Sequence, residues 1–525
     1  MNTRTSGRAR AAAVVLSLLA GTLTATLGMT MGTGSGSASA AIGVTVTNGC
    51  VTSRPEPGST SPVKICYSLF RPAVATSSHK VPVIMQGHGW GGSRTTDPAA
   101  FAKWFAHGYA VLSFDQRGWG ESGGKAHILN PAIEGVDVQR LIAMVAAKPW
   151  VKLDGPGDPR LGAIGGSYGG GYQFMGAFRN LQTRGKPVFD ALAPQITWND
   201  LSDSLAPSGV VRTEWALALS AAAVPSDALE TGVYEALVEG AATGTWPDGS
   251  IPGTFDMKGY VAHNGPKWHV SQGRRLDIPV LFGQGTTDTL FPLQQAFVNW
   301  RTALTPAARE QSIFVAYNGG HVLPGVLPPT EAATSDPCSK QLAGGDFEDL
   351  SIRFFDEKLR HLRTGLTGYH AYHLATIAGA CLNVRTVAAD ATYPVGQVAT
   401  TEAVGVPISY KVVDGPITIA GTPYLTGSVT ALGLENRAFY GLAVGTSPLD
   451  AKLVQGNMLP LREPASVTDV DRRVALPSVA VRVPKGKSLF VMASAFSDMF
   501  LGMGSRTPGA IVIDGTVVHL PVVGN

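Results

Sequence analysis

Apolar runs bounded by turn residues recur along the first part of the chain. Runs of about four to eight such residues are typical of buried strands, and they occur at 42–47, 63–70, 81–85, 110–114, 161–164, 189–193, 278–283 and 312–317. Residues 136–147 and 351–362 instead place apolar side chains on one face of a helix. Strands alternating with helices predict an α/β fold.

The strand pattern stops between residues 199 and 269. This segment is rich in Ala, Leu and Trp and contains helical stretches at 213–222 and 227–240. Insertions above the strand ends of a rigid sheet commonly carry functional contacts. We therefore expect a helical cap at about 199–269 that contacts the substrate, with a purely structural insertion as the alternative.

The chain changes character after about residue 390. Short apolar runs separated by turns follow at 417–421, 428–432, 439–444, 479–483 and 489–494. Residues 511–518 predict a hairpin, because Asp514-Gly515 divides an apolar run. We expect a core domain over 41–390 and an all-β sandwich over 391–525. A structural role is favoured for the sandwich over polymer binding, since the sequence shows no aromatic ladder.

The beginning of the chain predicts export. Three arginines precede an apolar stretch at 11–27, and an Ala-Ser-Ala sequence ends at residue 40. This order is typical of a signal peptide with its cleavage site. We expect residues 1–40 to be removed and the mature protein to be secreted, with no membrane attachment.

Cysteine content and charge narrow the function classes. The four cysteines are consistent with an oxidising compartment. Three pairings are possible, and nearest-neighbour pairing favours Cys50 with Cys66 and Cys338 with Cys381. No C-x-x-C motif is present, which counts against a zinc or redox site. The formal net charge of +3 comes without a basic run, so nucleic-acid binding is not expected.

The strongest motif is Gly165-Gly166-Ser167-Tyr168-Gly169, which follows the run at 161–164. It fits the G-x-S-x-G pattern of a nucleophile elbow, a sharp turn between a strand and a helix. A serine at such a turn has sparsely allowed backbone angles, and small residues on both sides avoid collisions. A glycine-rich turn without a catalytic role is the alternative. The required strand before it and helix after it favour Ser167 as a nucleophile.

A serine nucleophile needs a base and an acid, and the chain offers both in the order Ser, Asp, His. Asp288 follows the predicted strand 278–283, and His321 follows the predicted strand 312–317. His321 would take the proton of Ser167, while Asp288 would fix the imidazole tautomer.

Other histidines and aspartates also lie near strand ends. His88 lies on another strand-end loop, and His370 and His373 lie beyond the run we take as the last core strand. Asp115 also ends a strand, but it precedes the nucleophile, which is the wrong order. We expect Asp115 to organise its own turn and favour His321 and Asp288.

The loop at 86–92, Gln-Gly-His-Gly-Trp-Gly-Gly, is a candidate for the oxyanion hole. Its glycines allow main-chain N–H groups to face inward. The preferred pair of donors is the N–H of Trp90 and the N–H of Tyr168. A flexible loop without a donor role is the alternative.

Two motifs together resemble a known family. Residues 115–124, DQRGWGESGG, are similar to D-x-R-G-x-G-x-S-x-G, and the elbow is similar to G-x-S-Y-G-G. Both are motifs of the Xaa-Pro dipeptidyl-peptidase and cocaine-esterase group of α/β-hydrolases. The resemblance implies an α/β-hydrolase core, a helical cap between nucleophile and acid, and a C-terminal jelly-roll-like β domain. The group usually offers a tyrosine hydroxyl to the oxyanion, where this chain has His88-Gly89-Trp90.

These observations predict a secreted serine hydrolase that cleaves peptide, amide or ester bonds through an acyl-enzyme. No metal or organic cofactor is needed. The resemblance implies removal of N-terminal dipeptides, often after proline, or hydrolysis of acyl and aminoacyl esters. A non-catalytic binding protein on a hydrolase scaffold is the alternative, and the complete Ser–Asp–His set counts against it. The oligomeric state is left open.

Substrate class depends on the cap. An aminopeptidase needs a carboxylate for the substrate ammonium, because an unpaired buried charge is costly. An esterase instead favours an apolar pocket, which Trp198 and Trp215 could line. The candidate carboxylates of the cap are Asp200, Asp203, Glu214 and Glu230.

Overall fold

The predicted strands between residues 42 and 317 are present and lie in one sheet. The computed structural model describes residues 43–323, 328–331, 333–507 and 509–524, so the predicted signal peptide lies outside the described residues. The strands up to residue 317 are β1 (Val44–Ser53), β2 (Val63–Pro72), β3 (Val83–Gly87), β4 (Ala110–Phe114), β5 (Leu153–Gly155), β6 (Asp158–Pro159), β7 (Leu161–Gly166), β8 (Ala191–Gln195), β9 (Leu281–Gly285) and β10 (Ile313–Tyr317).

The strands from residue 330 onward include two further members of this sheet. They are β11 (Thr330–Glu331), β12 (Tyr372–Ala375), β13 (Cys381–Val384), β14 (Ala391–Thr401), β15 (Ile408–Asp414), β16 (Ile417–Gly421), β17 (Tyr424–Ala431), β18 (Asn436–Gly445), β19 (Lys452–Val454), β20 (Leu459–Glu463), β21 (Val467–Ala475), β22 (Val479–Val483), β23 (Ser488–Ser494) and β24 (Ala510–Leu520).

Ten of the described strands form the large sheet, in the order β1-β2-β4-β3-β7-β8-β9-β10-β12-β13. Neighbours from β4 to β12 run parallel, while β1, β2 and β13 pair antiparallel at the two edges. The expectation that 312–317 is the last core strand is wrong. β12 pairs with β10 after it, and His373 therefore lies on a core strand. Its run is short and apolar, without a pattern that separates it from a loop.

Helices cover both faces of this sheet, as in an α/β fold. The helices are α1 (Ala102–Ala106), α2 (Glu134–Ala146), α3 (Tyr168–Arg184), α4 (Leu201–Leu205), α5 (Thr213–Ala223), α6 (Thr231–Thr243), α7 (Met257–Tyr260), α8 (Pro266–Ser271), α9 (Leu293–Thr302), α10 (Pro306–Glu310), α11 (Pro337–Ala343) and α12 (Phe347–Arg360). Because helices shield both sides, every residue of β4 and β9 is buried. Phe282 of β9 packs against Phe174, Trp300 and Phe314, with ring centroids within 5.9 Å.

Helices α4 to α8 form the cap between β8 and β9. Helix α5 matches the prediction for 213–222 closely, but α6 begins four residues after the predicted 227. The reason is local. Asp227 has a left-handed conformation with φ of 46°, which a continuing helix cannot include.

The C-terminal strands form an all-β region. One sheet contains β11, β19, β18, β23 and β15, with β20 also paired to β18, and a second contains β14, β24, β17 and β21. Their inner faces bury a common apolar core that includes Leu425, Leu442, Val491, Ile513 and Val518. The fold is thus an α/β-hydrolase core with a helical cap and an all-β region. The boundary near residue 390 stays a prediction.

The hairpin predicted at 511–518 is wrong. β24 is one strand that pairs with β14 on one side and with β17 on the other. The Asp514-Gly515 pair forms a bulge in it, since the register shifts between Thr426 and Ser428 of β17, and Gly515 has φ of 57°. The Asp-Gly pair that predicts a turn from the sequence forms a bulge within a continuous strand.

Two disulfide bonds join the preferred cysteine pairs. Cys50 and Cys66 are direct partners in the register of β1 and β2. Cys338 of α11 is joined to Cys381 of β13. In the part of the chain that the structure describes, we find no helix with the length and apolarity of a membrane span.

Candidate active site

Ser167 lies between β7 and α3 in a strained conformation, with φ of 57° and ψ of −122°. A positive φ is unfavourable for a residue with a side chain, and surrounding contacts must hold it. Its N–H donates to the carbonyl of Gln195 at 2.9 Å, which ties the turn to β8. The residue is partly exposed, as a nucleophile requires.

The glycines of the elbow are needed for close backbone approach. A Cβ on Gly169 would lie 2.2 Å from the carbonyl oxygen of Gly87, at the end of β3. Gly165 has φ of 139°, and a Cβ there would lie 2.5 Å from the same oxygen. The elbow therefore fits against β3 only with glycine at these two positions.

His321 and Asp288 complete a hydrogen-bonded series with Ser167. The distance from Ser167 Oγ to His321 Nε2 is 2.9 Å, and the distance from His321 Nδ1 to Asp288 Oδ2 is 2.8 Å. The Asp288 side chain is fully buried. Its Oδ1 accepts hydrogen bonds from the N–H groups of Leu290 and Phe291. The carboxylate is thus held from both sides, with one oxygen directed at the imidazole.

The loops that carry the acid and the base are joined along their main chains. Thr289 donates to the carbonyl of His321 from both its N–H, at 2.8 Å, and its Oγ1, at 2.9 Å. Thr287 donates to the carbonyl of Gly319 in the same way. Gly320 has φ of 109°, and a Cβ there would come within 2.7 Å of Asp288 Cβ. These contacts fix the distance between the two loops.

Two aromatic rings meet the imidazole edge-on. The ring centroids of Trp215 and Phe291 lie 5.7 and 5.1 Å from that of His321. The indole N–H of Trp215 donates to Thr289 Oγ1 at 3.1 Å. Trp215 belongs to cap helix α5, so the cap contacts His321 directly.

The side chains of Trp90 and Tyr168, the residues of the two predicted oxyanion donors, pack against each other. The rings of Trp90 and Tyr168 pack at 5.1 Å, and the Trp90 indole donates to the carbonyl of Leu219 in the cap. Tyr168 is the first residue of α3, where main-chain N–H groups have no acceptor within the helix. Burial raises the pKa of the Tyr168 phenol well above its usual range. The N–H of Tyr168, at the start of the helix, stays the predicted donor.

The other candidate aspartate and histidines all have partners outside the Ser167–His321–Asp288 series. Asp115 accepts from the N–H and guanidinium of Arg94 and from the N–H of Glu121, so it organises its own turn. His88 Nε2 accepts from the N–H of Gln116, and burial lowers the pKa of this histidine. His370 lies 3.3 Å from Glu310, and His373 contacts the carbonyl of Gly368 at 2.9 Å.

Three of the residues predicted to contact the substrate, one tryptophan and two aspartates, already have hydrogen-bond or ion-pair partners within the protein. Trp198 is only 3% exposed, and its indole donates to the carbonyl of Asn264 within the core. Asp200 pairs with Lys267, and Asp203 accepts from Gln295.

The two glutamates among the candidate carboxylates, Glu230 and Glu214, lie near a histidine and near an aspartate. Glu230 lies 3.4 Å from His127. Glu214 precedes Trp215, and burial with the nearby charge of Asp498 raises the pKa of its carboxyl. Of the predicted tryptophans, Trp215 is the one beside the base.

A cleft lies next to the loops that carry Asp288 and His321. Thr287, Thr289, Val322 and Leu323 line it from the hydrolase core, and Leu453 and Met499 line it from the all-β region. Within the described ranges, no cluster of three or more His, Cys, Asp or Glu side chains has a metal-binding arrangement.

Sequence reasoning missed the residues that hold the loops. Thr287 and Thr289 flank Asp288, and this spacing is a visible signal in the sequence. Asn457 donates from Nδ2 to the carbonyl of Asp288 at 3.0 Å, and no pattern around it indicates that contact.

Residues 61–322 match the model of the X-Pro dipeptidyl-peptidase family, S15, and this range includes Ser167, Asp288 and His321. This part of the chain belongs to the S15 family. The predicted resemblance is confirmed. Membership of this family supports the prediction of a hydrolase that acts on peptide or ester bonds.

Two solved structures share the fold over nearly their whole length. A CocE/NonD family hydrolase from Staphylococcus aureus is 15% identical, with a TM-score of 0.62 over 91% of this chain and 93% of that one. An alpha-amino acid ester hydrolase is 12% identical, with a TM-score of 0.58 over 91% of this chain and 97% of that one.

A curated relative is similar over a shorter stretch. An uncharacterized 31.7 kDa protein in the traX-finO intergenic region of Escherichia coli is 32% identical over 106 residues. That stretch covers 20% of this chain and 35% of the relative. The chain thus spans about a third of the length of the curated relative that it matches.

Proposed function

We propose that this S15-family protein is a secreted serine hydrolase that cleaves ester or amide bonds through an acyl-enzyme on Ser167. The observation that carries the proposal is the series Ser167 Oγ, His321 Nε2, Nδ1 and Asp288 Oδ2, with distances of 2.9 and 2.8 Å. A serine hydroxyl becomes a nucleophile when an adjacent base takes its proton.

In the proposed mechanism, His321 takes the proton of Ser167 as Oγ attacks the carbonyl carbon. Asp288 holds the neutral imidazole with Nδ1–H directed at its carboxylate and stabilises the imidazolium that forms. The main-chain N–H groups of Trp90 and Tyr168 stabilise the oxyanion. His321 then protonates the leaving group, and water releases the acyl group from Ser167.

The N-terminal sequence pattern and the two disulfide bonds support export of this protein. Disulfides form and persist outside the cytosol, so an exported enzyme retains both.

The test of the proposal is Ser167→Ala with a fluorophosphonate probe and a p-nitrophenyl acyl ester. We expect the variant to fold, to lose covalent labelling and to lose about 10⁴-fold or more in kcat, because no other group replaces the nucleophile. Turnover near that of the wild type in the folded variant would exclude Ser167 as the nucleophile. Absence of labelling and turnover in the wild type would favour the non-catalytic binding protein.

The substrate class is tested with a free-amine dipeptide anilide, its N-acetylated form and an acyl ester. We expect no preference for the free amine, and the highest rates on the ester. The reason is that Asp200 and Asp203 are already engaged, while the aromatic rings of Trp215 and Phe291 border the base.

A strong free-amine preference would overturn that expectation. Its loss in Glu214→Gln, but not in Asp200→Asn, would identify the carboxylate that pairs with the substrate ammonium. The enzyme would then be an aminopeptidase.

A further inference from the structure

The turn between β19 and β20 reaches from the all-β region into the candidate site. Asn457 in this turn is 4% exposed, and its Nδ2 donates to the main-chain carbonyl of Asp288 at 3.0 Å. The contact is to the residue whose carboxylate holds His321. A side chain of the all-β region thus bonds directly to the acid of the series.

The same turn also holds the segment that follows the base. β11 pairs in parallel with β19, with Thr330 opposite Leu453 and Glu331 opposite Val454. The N–H of Gln455 then donates to the carbonyl of Glu331 at 3.2 Å. The acid loop therefore attaches to Asn457 of this turn, and the segment after His321 attaches to β19 and to Gln455 of the same turn.

The turn itself is fixed. Gln455 is 1% exposed and has φ of 55°, which the surroundings must hold in place. Its side-chain amide accepts from the N–H of Ala480 at 3.1 Å. A Cβ on Gly441 of β18 would lie 2.9 Å from the carbonyl of Asn457, so the turn packs closely on that strand. A rigid support of this kind restricts the group that it contacts.

The amide of Asn457 makes one of the hydrogen bonds open to it and lacks another. Its Oδ1 has no hydrogen-bond partner in the part of the chain that the structure describes. A buried polar atom without a partner costs free energy, which offsets the gain from the single bond that Nδ2 makes. Replacement by leucine removes both atoms but leaves the carbonyl of Asp288 without this donor, so we expect a modest loss of folding stability.

We propose that Asn457 is a positioning residue for the acid–base pair and that the all-β region acts on catalysis through it. This inference rests on the proposed function. With the Asp288 main chain anchored, its Oδ2 stays in line with His321 Nδ1, and the imidazole stays directed at Ser167. Without the anchor, the acid loop samples other positions, and fewer enzyme molecules have the productive geometry.

The test is Asn457→Leu in the full chain, assayed with the acyl ester. We expect kcat to fall about tenfold to a hundredfold, KM to change less than about twofold, and Tm to stay within a few degrees of the wild type. The rate of fluorophosphonate labelling should fall with kcat, because it needs the same base. If Asn457 were purely structural, its replacement would instead lower Tm and leave the kcat of the folded enzyme unchanged.

Asn436→Leu is the matched control. Asn436 is also buried in the all-β region, and its Nδ2 donates to the carbonyls of Gly433 and Glu463, remote in sequence from the acid and base loops. We expect its loss to lower Tm and to leave kcat unchanged. Should Asn457→Leu fail to fold, Asn457→Ala removes the amide without adding bulk and is assayed in its place.

The outcomes separate this inference from the proposed function. Wild-type kcat in folded Asn457→Leu, or an equal loss of kcat in Asn436→Leu, overturns the positioning role. Failure of Ser167→Ala to abolish turnover instead overturns the proposed function, whatever the Asn457 variants do.

Discussion

Two aspartates at strand ends are equally buried but have different hydrogen-bond partners. Asp115 and Asp288 are both less than 2% exposed. Asp115 is paired with Arg94 and closes its own turn, whereas Asp288 directs one carboxylate oxygen at His321. The same side chain closes a turn in one case and bonds to a histidine in the other, where we propose that it orients the base.

We expect Asp288→Asn to lower kcat by about 10⁴-fold, because an amide no longer holds the imidazole in the tautomer that accepts the Ser167 proton. Asp115→Asn should reduce Tm through the weakened Arg94 contact and leave kcat within about tenfold. Steady-state kinetics and thermal unfolding of both variants check this. A larger kcat loss in folded Asp115→Asn would show that the acid is assigned incorrectly.

The sequence predicts residues whose chemistry imposes a local pattern. Ser167 is recognisable because glycines must surround it, and Asp288 and His321 because each follows a strand in a fixed order. Asn457 has no such pattern. Its contact joins a side chain to a main-chain carbonyl 169 residues away, and any polar residue in a turn is compatible with the local sequence.

Among the elements, helix α2 begins at a carboxyl that is buried and mostly without partners. Glu134 accepts from the N–H of His127 through Oε1, while Oε2 has no partner among the described residues. Burial raises the pKa of Glu134 to about 7, and this outweighs the lowering effect of His127. The folded chain therefore favours the protonated acid.

A raised folded-state pKa gives a definite pH dependence. The stability that Glu134 contributes is fully present below the unfolded pKa of 4.5 and is lost as pH rises through about 7. Glu134→Gln removes this loss, so the variant should gain on the order of 3 kcal/mol over the wild type at pH 8.5 and little at pH 4.5. Unfolding of both proteins at the two pH values measures it.

Exposed Glu235→Gln is the control and should show no such pH-dependent gain. An equal effect of Glu134→Gln at pH 4.5 and 8.5 would contradict the shifted pKa.

Element prediction succeeded where one face or one run had a clear period. The strands of the sheet from β2 to β10 are predicted because their apolar runs are largely buried, whereas β1 is predicted although most of its residues are exposed. β12 and β13 were missed, since strands of four residues acquire their identity from pairing with β10 and with each other. The bulge in β24 was misinterpreted for the same reason: only neighbouring strands distinguish a bulge from a turn.

For the whole molecule, the cap is fastened from two sides. Trp90 of the core binds the carbonyl of Leu219, and Arg212 of the cap stacks over Phe500 of the all-β region at 4.9 Å. The sequence predicts the all-β region as a separate structural module. The contacts show a region that also lines the cleft and bonds to the acid loop.

The pairing of β11 with β19 joins residues 123 positions apart and so bears on the order of biosynthesis. A nascent chain that ends before residue 452 already contains the serine, the aspartate and the histidine. It lacks the strand on which the segment after the histidine lies, and it lacks the asparagine that anchors the aspartate. We therefore expect a nascent chain to reach its full hydrolytic activity only after residues 452–457 have left the ribosome.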